Sequence, residues 1–196
     1  MLPPGLSFVS FSELAWERNK SANLPQFYFD LAEERKANLS GPTRFSSLVT
    51  HVIGLEKVLE NYTGVHRDNR IKYSRNCATA FSEAAQILGL KLLSKKPAPS
   101  LTALCLPENI DGDELKAQIK KDFDIIVSGG QAELKGKILR IGHMGYITKK
   151  DYTQTLEAIG HSLIKLNFSL SPESITQACD HFNDQVKQDY HDYFNC

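Results

Sequence analysis

Arg140 is the residue best placed to do chemistry, in the segment Gly136-Lys137-Ile138-Leu139-Arg140-Ile141-Gly142-His143-Met144-Gly145. A guanidinium presents paired N–H donors in a planar fork that suits a planar carboxylate, and it stays charged at any working pH. His143 follows three residues later and could line the same pocket, although a lone loop histidine is more often structural. Taken by itself, Arg140 is better explained as a surface arginine near a strand end, with or without a salt bridge.

A second segment, Leu2-Pro3-Pro4-Gly5-Leu6-Ser7-Phe8-Val9, lies at the other end of the chain. Its prolines and glycine predict a turn, and the residues that follow predict a short strand over Leu6–Phe11.

The cysteines and histidines give little support for a metal site. Cys77, Cys105, Cys179 and Cys196 form no CxxC pair, and the six histidines show no HxxxH or HxH spacing. Widely spaced cysteines in a chain of this size predict reduced thiols, so we expect a cytoplasmic protein.

Charge and hydropathy exclude two classes of partner. The chain of 196 residues carries 23 Lys+Arg and 23 Asp+Glu, and no basic face is evident, so we expect no nucleic-acid partner. No apolar run approaches the length of a membrane span, and the N-terminus lacks the pattern of a signal peptide.

Apolar periodicity, capping residues and Gly/Pro breaks predict the elements. The predicted helices cover Ser12–Ala22, Tyr28–Asn38, Phe45–Asn61, Arg67–Leu88, Asp113–Phe123, Lys149–Asn167 and Pro172–Tyr193. Besides Leu6–Phe11, the predicted strands cover Leu101–Leu106, Ile125–Ser128 and Leu139–Ile141.

This order predicts an α+β fold with a small three-stranded sheet covered by helices. About 40 residues precede it as one strand and two helices, which cannot close a sheet of their own. The N-terminal part therefore looks like the tail of a larger domain that lacks its partner.

Together, the two segments and the helix order between them resemble the C-terminal half of the class V aminotransferases, in the alanine–glyoxylate/serine–pyruvate branch. The resemblance covers nearly the whole chain and weakens after Phe168. It implies the C-terminal part of a fold-type I α/β enzyme that uses pyridoxal phosphate (PLP). Residues 1–40 would end the large cofactor-binding domain, 41–63 would link the domains, 64–168 would form the small domain, and 169–196 would be a helical extension.

The resemblance also implies roles for three residues. Arg140 matches the arginine that binds the α-carboxylate of the amino- or oxo-acid substrate through a two-point ion pair. Thr43 and Ser46 match positions that reach across the dimer to the PLP phosphate of the neighbouring subunit. A hydroxyl at a helix N-terminus suits a phosphate, but either residue could instead cap the helix predicted from Phe45.

The catalytic lysine is not among these residues. In the family PLP is held as a Schiff base on a lysine that, by resemblance, lies three residues before Met1. An aspartate at the pyridine nitrogen and an aromatic residue on the ring belong to the same preceding half. The first lysine here is Lys20, inside a predicted helix. We therefore expect PLP in the complete enzyme, none held covalently by this chain, and no activity from the chain alone.

Two functions follow from this sequence. The first is the C-terminal portion of an aminotransferase that moves an amino group between alanine, serine or glycine and glyoxylate or pyruvate. It would act with a missing N-terminal half and would form a homodimer when complete. The alternative is a non-catalytic interaction or regulatory module, or a gene remnant. Apolar residues kept before Leu39, such as Val9, Phe11 and Trp16, favour the first and predict poor solubility of the chain alone.

Overall fold

The computed structural model describes residues 2–41, 43–60, 62 and 65–188. The chain divides into two compact units, residues 1–60 and 61–196.

The first unit consists of three helices that bury none of their residues. Helix α1 covers Glu13–Lys20 and helix α2 covers Leu31–Ser40. Helix α3 covers Val49–Glu60, and, as in the other two, no residue in it is buried. Ser12 caps α1 by accepting from the amide of Ala15, and Asp30 caps α2 in the same way. Apolar side chains of this unit therefore remain uncovered within the unit itself.

Two local predictions are wrong in this unit. Leu6–Phe11 is irregular, because a strand needs a hydrogen-bonded neighbour and the described residues of this unit contain no strand. The third helix begins at Val49 rather than Phe45. In the segment before it, the ring of Phe45 packs against Tyr28 at 4.7 Å between centroids.

The second unit is a four-stranded antiparallel sheet with four helices. Its helices are α4, Val65–Ile87, α5, Gly112–Phe123, α6, Lys149–Lys165, and α7, Pro172–Gln185. Its strands are β1, Lys91–Leu92, β2, Leu101–Cys105, β3, Ser128–Gly129, and β4, Ile138–Gly142, in the order β1-β2-β4-β3.

This architecture confirms the α+β prediction, with four strands where three were expected. The additional strand, β1, has only two residues and is defined by its pairing with β2. The strand predicted at Ile125–Ser128 is displaced to Ser128–Gly129, where β4 supplies the partner. The last helix ends at Gln185 instead of reaching Tyr193, a residue outside the described part of the chain.

The core lies between one face of the sheet and the helices. Leu104 from β2 and Leu139 from β4 are fully buried in it, together with Phe81 from α4. Helix α7 belongs to the same core, to which it contributes Ile175 and Phe182. The C-terminal helix thus packs as an integral part of the second unit.

Helices α6 and α7 approach closely at Gly160, and this contact can be tested. A Cβ added at Gly160 would lie 2.7 Å from Cγ1 of Ile175. We expect Gly160→Ala to lower the free energy of unfolding by about 1–3 kcal/mol, because overpacking outweighs the gain in helix propensity. Urea unfolding followed by circular dichroism measures the change.

The matched control is Gly142→Ala, where an added Cβ meets nothing within 4 Å, so stability should change little. Removing the neighbour in Gly160→Ala/Ile175→Ala should make the double variant more stable than the sum of the two single effects predicts. Strict additivity would contradict the proposed contact.

Candidate functional site

Arg140 occupies the middle of β4, on the face of the sheet opposite the core. Its Cα partners are Ala103 on β2 and Ser128 on β3. Successive side chains of a strand alternate between faces, and the neighbours Leu139 and Ile141 are buried in the core. Arg140 is therefore directed away from the core and remains half-buried.

One hydrogen bond orients the guanidinium. Nε of Arg140 donates to the backbone oxygen of Gly129 on β3, at 2.7 Å. Within the described part of the chain this is the only hydrogen bond or ion pair of the Arg140 side chain. The two terminal NH₂ groups are thus left as an oriented fork of donors, the geometry that binds a carboxylate through two parallel bonds.

The loop between β3 and β4 holds the Gly129 carbonyl in place. A Cβ at Gly130 would fall 2.0 Å from the backbone oxygen of Leu134, so only glycine fits there. At the other end of the loop, the amide of Gly112 donates to the oxygen of Gly136 at 2.8 Å. Asp111 caps α5 beside this contact by accepting from the amides of Asp113 and Glu114. The loop is therefore closed onto the start of α5.

Arg140 also lines a cavity of about 190 Å³. Apolar side chains form much of the cavity wall, and they are Ile125, Ile126, Val127, Ile141 and Ile147. The carboxylate of Asp151, which also lines the cavity, accepts from the amide and hydroxyl of Thr148 in a capping box at the start of α6. The cavity therefore combines one cationic fork with apolar side chains and with the carboxylate of Asp151, which is already hydrogen-bonded by Thr148.

A buried chain of polar side chains lies behind β4. Nε2 of His143 is 2.8 Å from Oγ1 of Thr102, which is 3.0 Å from Oγ of Ser82. On its other side, Nδ1 of His143 is 3.3 Å from the hydroxyl of Tyr152. All four residues are buried. Of these four residues, only His143 is a candidate from the sequence. The available signal for Thr102 is its place two residues before Leu104, on the same face of β2.

Burial sets the protonation states of His143 and Tyr152. It lowers the pKa of His143 from 6.5 to about 4 and raises the pKa of Tyr152, so both side chains are neutral near pH 7. A neutral imidazole has one donor and one acceptor nitrogen, and each hydroxyl partner can serve in either role. Both ring nitrogens of His143 can therefore be hydrogen-bonded while the ring is neutral.

Thr43 and Ser46 lie in the first unit, whereas Arg140 lies in the second. Both hydroxyl residues are exposed in the segment between α2 and α3. Since α3 begins at Val49, neither residue occupies the position directly before the helix. The alternative role as an N-cap is thus absent, and the phosphate role stays a prediction.

Every lysine in the described ranges is exposed or half-buried; Lys20, for example, pairs with Glu17 at 2.8 Å. Those ranges hold no cluster of three His, Cys, Asp or Glu side chains that could bind a metal ion. None of the helices described has the length and apolar character needed to cross a membrane.

Known proteins of similar sequence are about twice as long as the matching region. The small subunit of a soluble hydrogenase from Synechococcus sp. (strain PCC 6716) is 34% identical over 171 residues, covering 86% of this chain and 44% of that protein. An uncharacterized aminotransferase of Methanocaldococcus jannaschii is 32% identical, covering 90% and 47%. The alanine–glyoxylate aminotransferase of Callithrix jacchus is 30% identical, covering 82% and 41%. The chain thus spans about half the length of these relatives.

Solved structures of aminotransferases share the fold. Ureidoglycine–glyoxylate aminotransferase from Bacillus subtilis superposes with a TM-score of 0.73 at 22% identity, over 89% of this chain and 47% of that chain. Pyridoxamine–pyruvate aminotransferase from Mesorhizobium loti gives a TM-score of 0.76 at 22% identity, over 88% and 46%. No protein-family model matches the chain.

The lowered pKa of His143 predicts a specific pH dependence of stability. The unfolded chain binds a proton at His143 below about pH 6.5, whereas the folded chain resists protonation until about pH 4. The free energy of unfolding should therefore fall as the pH drops from 6.5 to 4, by about 3 kcal/mol in total from this residue.

Urea unfolding at a series of pH values, with wild type and His143→Gln side by side, isolates this contribution because the other histidines are common to both chains. The variant should lose stability less steeply between pH 6.5 and pH 4. Parallel curves for the two proteins would show that His143 is not the group responsible.

Proposed function

We propose, on the premise that the chain belongs to the class V aminotransferases, that its residues form the substrate-carboxylate-binding part of a PLP-dependent transaminase. The reaction moves an amino group between a small amino acid of the alanine, serine or glycine type and a 2-oxo acid such as glyoxylate or pyruvate. The 196 residues do not catalyse this reaction by themselves.

The observation that carries the proposal is the orientation of Arg140. Its Nε is held by the Gly129 oxygen, which leaves both terminal NH₂ groups directed as one planar fork. Such a fork binds the α-carboxylate of an amino acid and of its oxo-acid product equally, since both carry the same group. Arg140 thereby binds and orients each substrate in turn, while the remainder of the substrate stays free for the reaction.

The described residues do not fit a covalent site for PLP. A Schiff-base lysine must lose its proton near neutral pH, which burial or a neighbouring cation promotes. The least exposed lysine among the ion pairs, Lys116, is engaged in an ion pair with Asp113 at 2.7 Å. When bound, PLP acts as the electron sink of such enzymes, and in this proposal it is held by an N-terminal large domain.

The surface of the first unit supports such a partner. Its three helices bury no residue, and Phe8, Phe27 and Phe29 are each about three-quarters exposed. Apolar surface of this extent is usually covered by another domain or chain. We assign the cover to the large domain, and we expect the complete enzyme to be a homodimer in which Thr43 or Ser46 reaches the cofactor phosphate of the neighbouring subunit.

The substrate class rests on relatives whose names specify glyoxylate or pyruvate as the amino acceptor. The cavity beside Arg140 has a volume of about 190 Å³ and holds one cationic fork, with the Asp151 carboxylate in the same lining. This suits a ligand with one carboxylate and a short side chain. The proposed location is the cytoplasm.

Co-expression with an N-terminal large domain of the same family tests the proposal. Purified chain supplied with PLP and alanine should leave glyoxylate unchanged, whereas the two parts together should form glycine and pyruvate. An inactive but stably associated pair would contradict the enzymatic role and would favour the non-catalytic interaction module.

Within the active pair, Arg140→Lys should lower kcat/KM for both amino and oxo substrates on the order of 100-fold, because lysine retains the charge but not the two-point geometry. The matched control is Arg75→Lys on the exposed side of α4, which should leave kcat/KM near the wild-type value. Equal effects of the two variants would count against Arg140 as the carboxylate-binding group.

A further inference from the structure

We propose that His143 is a positioning residue for Arg140, and that the buried chain of Ser82, Thr102, His143 and Tyr152 fixes the end of β4 and with it the guanidinium. The proposal rests on the proposed carboxylate-binding role of Arg140. Together these four side chains form the polar chain.

The end of β4 is anchored on several sides through His143. The residue is 1% exposed, and its amide donates to the oxygen of Ser100 before β2, at 2.9 Å. Its ring bonds to Thr102 on β2 and to Tyr152 on α6, and Thr102 extends the chain to Ser82 on α4. The C-terminal end of β4 therefore cannot shift without breaking hydrogen bonds to β2, to α6 and to the turn before β2.

Tyr152 links the polar chain directly to the surroundings of Arg140. Its hydroxyl meets Nδ1 of His143, and the same residue lines the cavity that Arg140 also lines. The rings of His143 and Tyr152 stack at 5.6 Å between centroids, with an interplanar angle of 27°. Phe81 packs against both rings, at 5.8 and 5.9 Å. A change in the His143 ring thus alters both the end of the strand and the wall of the cavity.

The polar chain has a positioning role because its contacts are hydrogen bonds. An apolar side chain at residue 143 could fill the volume, but it would leave the buried hydroxyls of Thr102 and Tyr152 without their His143 partner. Apolar contacts also have no preferred direction. Hydrogen bonds do, and they restrict the rotation of the His143 ring and the displacement of β4 from the plane of the sheet. Arg140 needs this restriction because a two-point bond to a carboxylate depends on the orientation of the fork.

The test observes Arg140 itself in the full 196-residue chain, without substrate. The Nε–H of Arg140, hydrogen-bonded to Gly129, gives a signal in ¹H–¹⁵N spectra that is assigned by its loss in Arg140→Lys. We expect His143→Leu to accelerate its exchange with solvent on the order of tenfold, as loss of a buried hydrogen-bond network allows local opening. His143→Gln retains a polar group toward Thr102 and should restore most of the protection.

Thr102→Val supplies a second variant of nearly unchanged shape. It removes the hydroxyl that joins Ser82 to His143 and should also accelerate exchange at Arg140. The control is Ile175→Ala on α7, a buried residue outside the polar chain. It lowers stability through a cavity and should change the Arg140 exchange rate no more than it changes the exchange of core amides.

Exchange at Arg140 that is the same in His143→Leu, Thr102→Val and Ile175→Ala would overturn the proposal, as would failure of His143→Gln to restore protection. Because no substrate or cofactor is present, this result is independent of transamination. The positioning role can fail while Arg140 still binds carboxylate, and the proposed reaction can fail while the positioning result stands.

Discussion

The antiparallel register between β2 and β4 is the constraint on which the site and the core both depend. It places Thr102 opposite Ile141, Ala103 opposite Arg140 and Leu104 opposite Leu139. Side chains alternate along each strand, so a slip by one residue would direct Arg140 into the apolar core and expose Leu139. The same register turns Thr102 inward, where it meets His143. Burial of the leucines and orientation of the arginine are therefore consequences of a single pairing.

The site depends equally on a short and irregular part of the sheet. Strand β3 has two residues, yet its Gly129 carbonyl orients the guanidinium of Arg140. A strand so short cannot hold its own position, and the support comes from the loop that packs on the start of α5, where Gly136 meets Gly112. The Arg140 side chain is thus held by one backbone carbonyl, and the position of that carbonyl depends on the loop between β3 and β4.

The two units differ in how their apolar side chains are used. In the second unit, sheet and helices enclose a continuous core that includes α7. In the first, no helix buries a residue, although Phe27, Tyr28 and Phe45 group their rings together. Arg44 makes cation–π contacts with Phe27 and Phe45, and Arg35 makes one with Trp16. A unit of this kind is stabilised mainly by what it packs against, which agrees with the proposed large domain and with relatives twice the length of the chain.

Local features of the sequence determined the helices of the second unit and the strands of its centre. Asp111 caps α5, α6 begins at Lys149 as predicted, and Gly89 follows α4 with a φ of +81°. These signals depend on neighbouring residues and therefore survive without knowledge of the fold. The candidate Arg140 came from its segment and from the family resemblance. Only the tertiary structure decided that Leu6–Phe11 forms no strand, that Lys91–Leu92 does, and that the carbonyl of Gly129 holds Arg140. Thr102 and His143 are 41 residues apart in the chain. Strand pairing and buried hydrogen bonds join residues distant in sequence, so their partners are set by the packing of the whole unit rather than by local propensity.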